Sequence, residues 1–178
     1  MIVIVSDNEK EQIGTRLHRY LLEQGQEARL IPASGRDVKP CFSCGGCTDK
    51  TFGKCIIRDD MDEILPVLGK AERIIYTTPV VWGGMSYDIK RILDKTALLG
   101  NHFYKLRNKE IVKGSITDNH SFIMIGVSEK PSIKTKDSFH GLAKEIANIM
   151  DADNLTKILQ PDASDAEISA IAKEVLAL

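Results

Sequence analysis

What this sequence lacks narrows it first. Neither sign of charge is in excess: 24 Lys and Arg against 25 Asp and Glu leave a net charge of -1. That balance gives no electrostatic case for nucleic acid or an anionic membrane surface. No apolar run approaches the roughly 20 residues that span a bilayer. The opening MIVIVSDNEK carries neither a basic leader nor an apolar stretch long enough for a signal peptide. We therefore expect no nucleic-acid partner, no membrane partner and a cytoplasmic location. GxGxxG, GxxxxGK[ST] and GxSxG are all absent, which sets aside the usual dinucleotide fingerprint, the P-loop and the nucleophile elbow. No cysteine has an arginine six positions on, so the phosphate-cradling loop of small tyrosine phosphatases is missing too. None of the 4 histidines has a partner at metal-ligand spacing, and none is given a role. Repeats, low-complexity tracts and an obvious linker are also absent, and the length suits one domain over 1–178.

Cysteine is absent everywhere except CFSCGGCTDKTFGKC (41–55), which holds all 4. In a reducing compartment, clustered thiols bind metal or do redox chemistry more often than they form disulfides.

The rest alternates. MIVIVS (1–6), EARLIP (27–32), RIIYTTP (73–79), SFIMIGV (121–127) and the weaker NLTKIL (154–159) read as strands. Between them, Ile13, Leu17, Tyr20 and Leu21 mark one helix, and Met61, Ile64, Leu65 and Leu68 a second, with Pro66 expected to shorten or bend it. Ile89, Ile92, Leu93 and Ala97 mark the inward face of a third. Phe139, Leu142, Ala143, Ile146, Ile149 and Met150 mark a fourth, and Ile168, Ile171, Ala172 and Val175 a last. Residues 100–119 have no readable period. Five strand–helix alternations predict an α/β domain: a doubly wound parallel sheet with helices on both faces. Ligands of such sheets bind beyond the carboxyl ends of the strands. The informative loops are therefore 7–14, 33–59, 79–85 and 128–138.

In TPVVWGGMS, Pro79 stops a strand, and Val80, Val81 and Trp82 present apolar surface. Gly83 and Gly84 let the backbone approach a ligand closely. A flat aromatic ligand would stack on Trp82 and take hydrogen bonds from amides around Gly83, Gly84 and Met85. Lys90 and Arg91, on the helix that follows, read as solvated charges.

PVVWGGMSYDIKRILDK resembles the isoalloxazine-binding segment of flavodoxin-like NADPH-dependent FMN reductases and iron–sulfur flavoproteins. KPCFSCGGC, followed after a gap by CIIRDDM, resembles the same family, and the resemblance covers residues 1 to about 99. It implies a flavodoxin-like five-stranded sheet of order 2-1-3-4-5, non-covalent FMN, and a homodimer or homotetramer. It places FMN contacts at Ser6, Gly14, Thr15, Pro79, Val80, Val81, Trp82, Gly83, Gly84 and Met85. The first loop departs from the family pattern. Ser6, Gly14 and Thr15 occupy plausible positions, but Asp7, Glu9 and Glu11 stand near a phosphate that carries about -1.5 to -2 charges. Lys10 and Arg16 offset part of this, and acidic residues at a helix start are favoured by the helix dipole in any case.

The cysteine spacing, C-x2-C-x2-C-x7-C, lies in a cysteine-rich loop over 39–59. Three cysteines in one short run with a fourth further on suit a compact 4Fe–4S site better than paired zinc knuckles. The resemblance would make Cys41, Cys44, Cys47 and Cys55 its ligands. Zinc, a disulfide such as Cys44–Cys47, and free thiols stay open. The leading expectation is a flavin-dependent oxidoreductase. It would take electrons from NAD(P)H or a reduced ferredoxin-like donor and pass them to a small-molecule or protein acceptor. A non-enzymatic electron carrier, or a scaffold that has lost flavin and binds another ligand or metal, are the alternatives.

Overall fold

The computed structural model describes residues 1–7, 12–107, 109–117 and 121–178. Five parallel strands make the central sheet: β1 (Ile2–Ser6), β2 (Ala28–Pro32), β3 (Arg73–Pro79), β6 (Ser121–Val127) and β7 (Asp153–Leu159). Their spatial order is β2-β1-β3-β6-β7. Two short strands, β4 (Lys105–Arg107) and β5 (Glu110–Val112), form a separate antiparallel pair. Without that pair the order is the expected 2-1-3-4-5 of the flavodoxin-like doubly wound fold.

The sheet is buried because alternate residues of its inner strands feed two cores. Ile2 and Ile4 of β1 meet Ile13, Leu17 and Leu21 of α1 (Ile13–Glu23) and Ile168, Ile171 and Val175 of α6 (Asp165–Ala177). Val3 and Val5 face the opposite way. They join Met61 and Ile64 of α3 (Met61–Leu68), Ile89 and Ile92 of α4 (Tyr87–Lys95), and Phe139 of α5 (Ile133–Met150). The edge strands β2 and β7 are only partly buried. Ser86, Ser132 and Ser164 start α4, α5 and α6 by accepting the amides of Ile89, Thr135 and Glu167, caps typically worth about 1 kcal/mol each.

Four local readings change. Pro66 lies inside α3, which ends two residues later at Leu68 without a break before the proline. Ala97 is exposed and Leu98 buried, because the chain tightens into a 3-10 turn at Thr96–Leu99 and shifts the helical phase. Residues 100–117, which show no period, contain the β4–β5 pair. On α5, Phe139, Ala143 and Ala147 are the fully buried face, while Ile149 is largely exposed.

Candidate functional site

The first functional loop joins β1 to α1. Ser6 is buried, and its hydroxyl accepts a hydrogen bond from Thr77 of β3 at 2.7 Å. A Cβ on Gly14 would stand 2.4 Å from the Ser6 hydroxyl and 2.7 Å from that of Thr77. Glycine at this position therefore lets the first turn of α1 sit directly on the ends of β1 and β3. Ser6 and Gly14 build the platform, whereas Thr15 is exposed at the helix start. α1 begins after Gln12, has no side-chain cap and has no acidic residue in its first turn. Among the described residues nothing occupies its leading amides, which suit an anion. Asp7 is half-buried and its amide donates to the Thr77 carbonyl at 2.9 Å. Glu9, Lys10 and Glu11 lie outside the described residues.

The second loop is a tight turn. Val81 N–H donates to the Gly84 carbonyl at 2.9 Å, and Gly84 N–H donates back to Val81 at 2.8 Å. Trp82 (φ 53) and Gly83 (φ 78) hold the two central positions, the pattern of a type I′ turn. Gly83 is required twice, by its φ and by space: a Cβ there would stand 2.8 Å from Ser138 Cβ on α5. Trp82 is 101% exposed, although an indole in the left-handed region is strained. Val80 and Met85 pack inward, and Val81 faces out beside Trp82. The Gly84 amide is committed to the turn, which corrects the expectation that it donates to a ligand. Among the described residues, the amides of Gly83 and Met85 make no such commitment. Thr78 ties the turn to the next helix: its hydroxyl accepts the Ser86 amide at 2.9 Å, and Ser86 caps α4.

The cysteine loop leaves β2 on the other side of β1. It holds one helical turn, α2 (Gly46–Asp49), with left-handed backbone at Ser43, Gly45 and Gly53. All four thiols are free. Cys41 and Cys44 are exposed, and Cys47 and Cys55 are half-buried. Among the described residues, no three metal-ligating side chains gather at one point. The four sulfurs as placed therefore do not fit a cluster or a zinc ion without rearrangement of the loop.

What is firmly held is the loop's base. Asp59 and Lys95 form an ion pair with side chains 0% and 1% exposed. Asp59 also accepts the amides of Lys39, at 2.8 Å, and Met61, at 3.0 Å. Burial alone would raise the Asp59 carboxyl's pKa. Lys95 and the two amides outweigh it and hold the group below the ordinary carboxylate range. Arg91 donates to the carbonyls of Arg36, at 2.9 Å, and Val38, at 3.2 Å, and pairs with Asp88 at 2.7 Å. It is thus a clamp rather than a solvated charge. Asp88, Arg91 and Lys95 lie along one face of α4, the helix that the turn 81–84 leads into. Sequence reasoning missed this connection. The signal was present as acidic and basic residues recurring at helical spacing in DIKRILDK.

Comparisons with known proteins bear on the fold. No protein-family model matches the chain. It is 38% identical over 87 residues to the iron–sulfur flavoprotein of Methanosarcina thermophila, covering 49% of this chain and 44% of that one. It is also 38% identical over 89 residues to an iron–sulfur flavoprotein of Methanocaldococcus jannaschii, covering 50% and 45%. The matches thus span less than half the length of either relative. Over 99% of its length the fold superposes on an azoreductase from Bacillus anthracis str. Sterne, with TM-score 0.65 and 13% identity, covering 96% of that chain. The fold is flavodoxin-like. Within that class, the curated relatives of this chain are iron–sulfur flavoproteins.

Proposed function

We propose that this protein binds FMN at the carboxyl edge of its sheet and acts as a flavin-dependent oxidoreductase. The observation that carries the reading is Trp82. It is a fully exposed indole held in a strained left-handed turn at the ligand-binding edge of this fold. The residues present fit a flavin. Trp82 and Val81 offer an apolar cover, and the amides of Gly83 and Met85 offer donors. The uncapped start of α1, with Thr15, offers an anion site for the phosphate. Bound there, FMN supplies the hydride and single-electron chemistry. The chain's task is to orient the ring and hold the platform, which Gly14, Ser6 and Thr77 do beneath it. No side chain is assigned as acid or base.

NAD(P)H or a reduced ferredoxin-like protein is the donor in this reading, and a small molecule or protein the acceptor. Phe42, Phe52, Phe103 and Tyr104 are largely exposed, which supports a homodimer or homotetramer that covers them. Two curated relatives named iron–sulfur flavoprotein, together with the single run of thiols, support a 4Fe–4S cluster on Cys41, Cys44, Cys47 and Cys55. Holding it requires the loop to rewind about its clamped base.

The test is a titration of purified protein with FMN, followed by flavin fluorescence quenching. Saturation in the low micromolar range or below is expected. Absence of binding at several hundred micromolar overturns the proposal. NAD(P)H oxidation with a quinone or ferricyanide then marks an enzyme, and reduction by a ferredoxin-like partner alone marks a carrier.

A further inference from the structure

A cavity of about 350 Å³ lies between α4, α5 and the segment 113–117 that follows β5. That volume is at the small end of ligand-binding cavities. Its walls are Ile74, Leu93, Leu142, Ile146, Ile149 and Met150. Four of these, on α5, have an inward periodicity in the sequence, yet they are only partly buried: Leu142, Ile146 and Met150 are intermediate and Ile149 is exposed. They line an open space instead of filling it.

Tyr76 of β3 also lines the cavity. It is 1% exposed, and among the described residues its hydroxyl has no hydrogen-bond partner. Buried phenols normally find a partner. The Thr96 hydroxyl is close enough to influence Tyr76 but is not in hydrogen-bonding geometry, and it donates to the Leu93 carbonyl at 2.7 Å. Burial pushes the Tyr76 phenol upward, with only partial offset from Thr96, so it stays a neutral donor at physiological pH. The cavity is separate from the flavin edge. Ile74 is five residues before Pro79, roughly 16 Å back along the strand, and neither Val81 nor Trp82 lines it.

We propose that this cavity is a second ligand site, one that takes a small, mostly apolar molecule presenting a neutral carbonyl oxygen to the Tyr76 hydroxyl. The walls select an apolar body. A carboxylate at the inner end would be buried beside a neutral phenol without a cation, which is unfavourable. The charged groups lie elsewhere in the lining: Lys90 is paired with Asp94, and Lys113 stands over the Tyr104 ring at 5.6 Å. The inner end therefore recognises a neutral acceptor.

The test uses 2-acetylnaphthalene and its carbonyl-free counterpart 2-ethylnaphthalene, titrated by methyl NMR into FMN-saturated protein and into protein without FMN. We expect shifts at the methyls of Ile74, Ile146 and Met150 in both states, with the ketone binding about fivefold to tenfold more tightly. Tyr76→Phe removes that preference without lowering the Tm, because the hydroxyl it deletes is unpaired. Ile146→Trp fills the space and abolishes binding of both probes. Four results overturn the proposal: no shift at these methyls, equal affinity for the two probes, an unchanged preference in Tyr76→Phe, or a lowered Tm for that variant. Shifts confined to Val81 and Met85 that FMN abolishes place the probe at the flavin edge and overturn it as well. If FMN itself does not bind, the FMN-free titration still decides the cavity, so the two proposals fail separately.

Discussion

The turn Val81–Gly84 and the cysteine loop 41–55 follow neighbouring parts of one sheet edge, and they are built in opposite ways. The turn is fixed throughout. Two reciprocal backbone hydrogen bonds close it, Gly83 abuts Ser138, and Thr78 joins it to the cap of α4. The cysteine loop is clamped to the domain at its base, by Asp59, Lys95 and Arg91; further out it is held mainly by its own backbone bonds, such as those from Thr48 and Lys50 to the Gly45 and Gly46 carbonyls, and its thiols stand exposed or half-buried. A preformed surface suits a planar ring that arrives complete. A loop anchored at its base suits a ligand that the loop must wrap.

The comparison is broken most severely at the base. Asp59→Asn leaves Lys95 charged and buried without its partner, and loss of one member of a buried pair costs about 3–5 kcal/mol. Urea unfolding of the single variants Asp59→Asn and Lys95→Met, and of the double variant, measures this. The double variant is expected to be milder than either single one, because it leaves no unpaired charge. In the wild type, the folded carboxyl of Asp59 is held below its unfolded pKa. Its stabilisation is therefore complete above the ordinary carboxylate range and is lost as pH falls through the folded value. Acid unfolding of wild type should show that loss, and Asp59→Asn should lose less over the same range, keeping only the part due to Glu72, Asp151, Asp165 and Glu167, whose carboxyls are also held low.

The next largest effect is at the platform. In Gly14→Ala the new methyl meets the Ser6 and Thr77 hydroxyls at 2.4 and 2.7 Å. The start of α1 must then lift, at about 1–3 kcal/mol. FMN affinity should fall in the same variant, since the phosphate site moves with the helix. Thermal melts and the flavin titration measure the two losses. If stability falls but affinity does not, the assignment of the phosphate to α1 is wrong.

How much of this was legible follows from which interactions are local. The buried strands announced themselves in runs such as MIVIVS and SFIMIGV, because each inner strand is covered on both faces and needs no partner's sequence to be recognised. PVVWGGMS was legible as a bend at the carboxyl edge of the sheet because Pro79 and Gly83 constrain the backbone by themselves. The roles of Ser6, Asp59, Arg91 and Lys95 were not. Each depends on a residue far away in the chain: Thr77 for Ser6, Arg36 and Val38 for Arg91, and Asp59 for Lys95. A helical repeat of charge says that a face is polar but not what it grips. The β4–β5 pair was hidden for a different reason: its strands are three residues each and largely exposed, too short for a period to emerge.

A smaller effect, of mixed sign, is expected at Trp82. Trp82→Gly removes a side chain that supports nothing in the fold and relieves a left-handed residue, so stability should rise by about 1 kcal/mol. Loss of the stacking surface should weaken FMN by about fivefold to tenfold. Calorimetric Tm and the flavin titration are expected to move in opposite directions. A fall in both would mean that Trp82 serves packing, and the main support for the flavin reading would go.

The smallest effect on the fold tests the other half of the comparison. Replacing Cys41, Cys44, Cys47 and Cys55 together with serine changes only exposed and half-buried side chains beyond the clamp, and surface changes of this kind stay within about 0.5 kcal/mol each. Stability and FMN affinity should therefore hold, while iron and acid-labile sulfide retained after anaerobic reconstitution should fall to background. Wild-type protein that retains neither would leave the thiols free and remove the cluster from the proposal without touching the flavin. Iron retained by wild type but lost in Asp59→Asn, at a temperature where that variant is still folded, would show that the base positions the thiols.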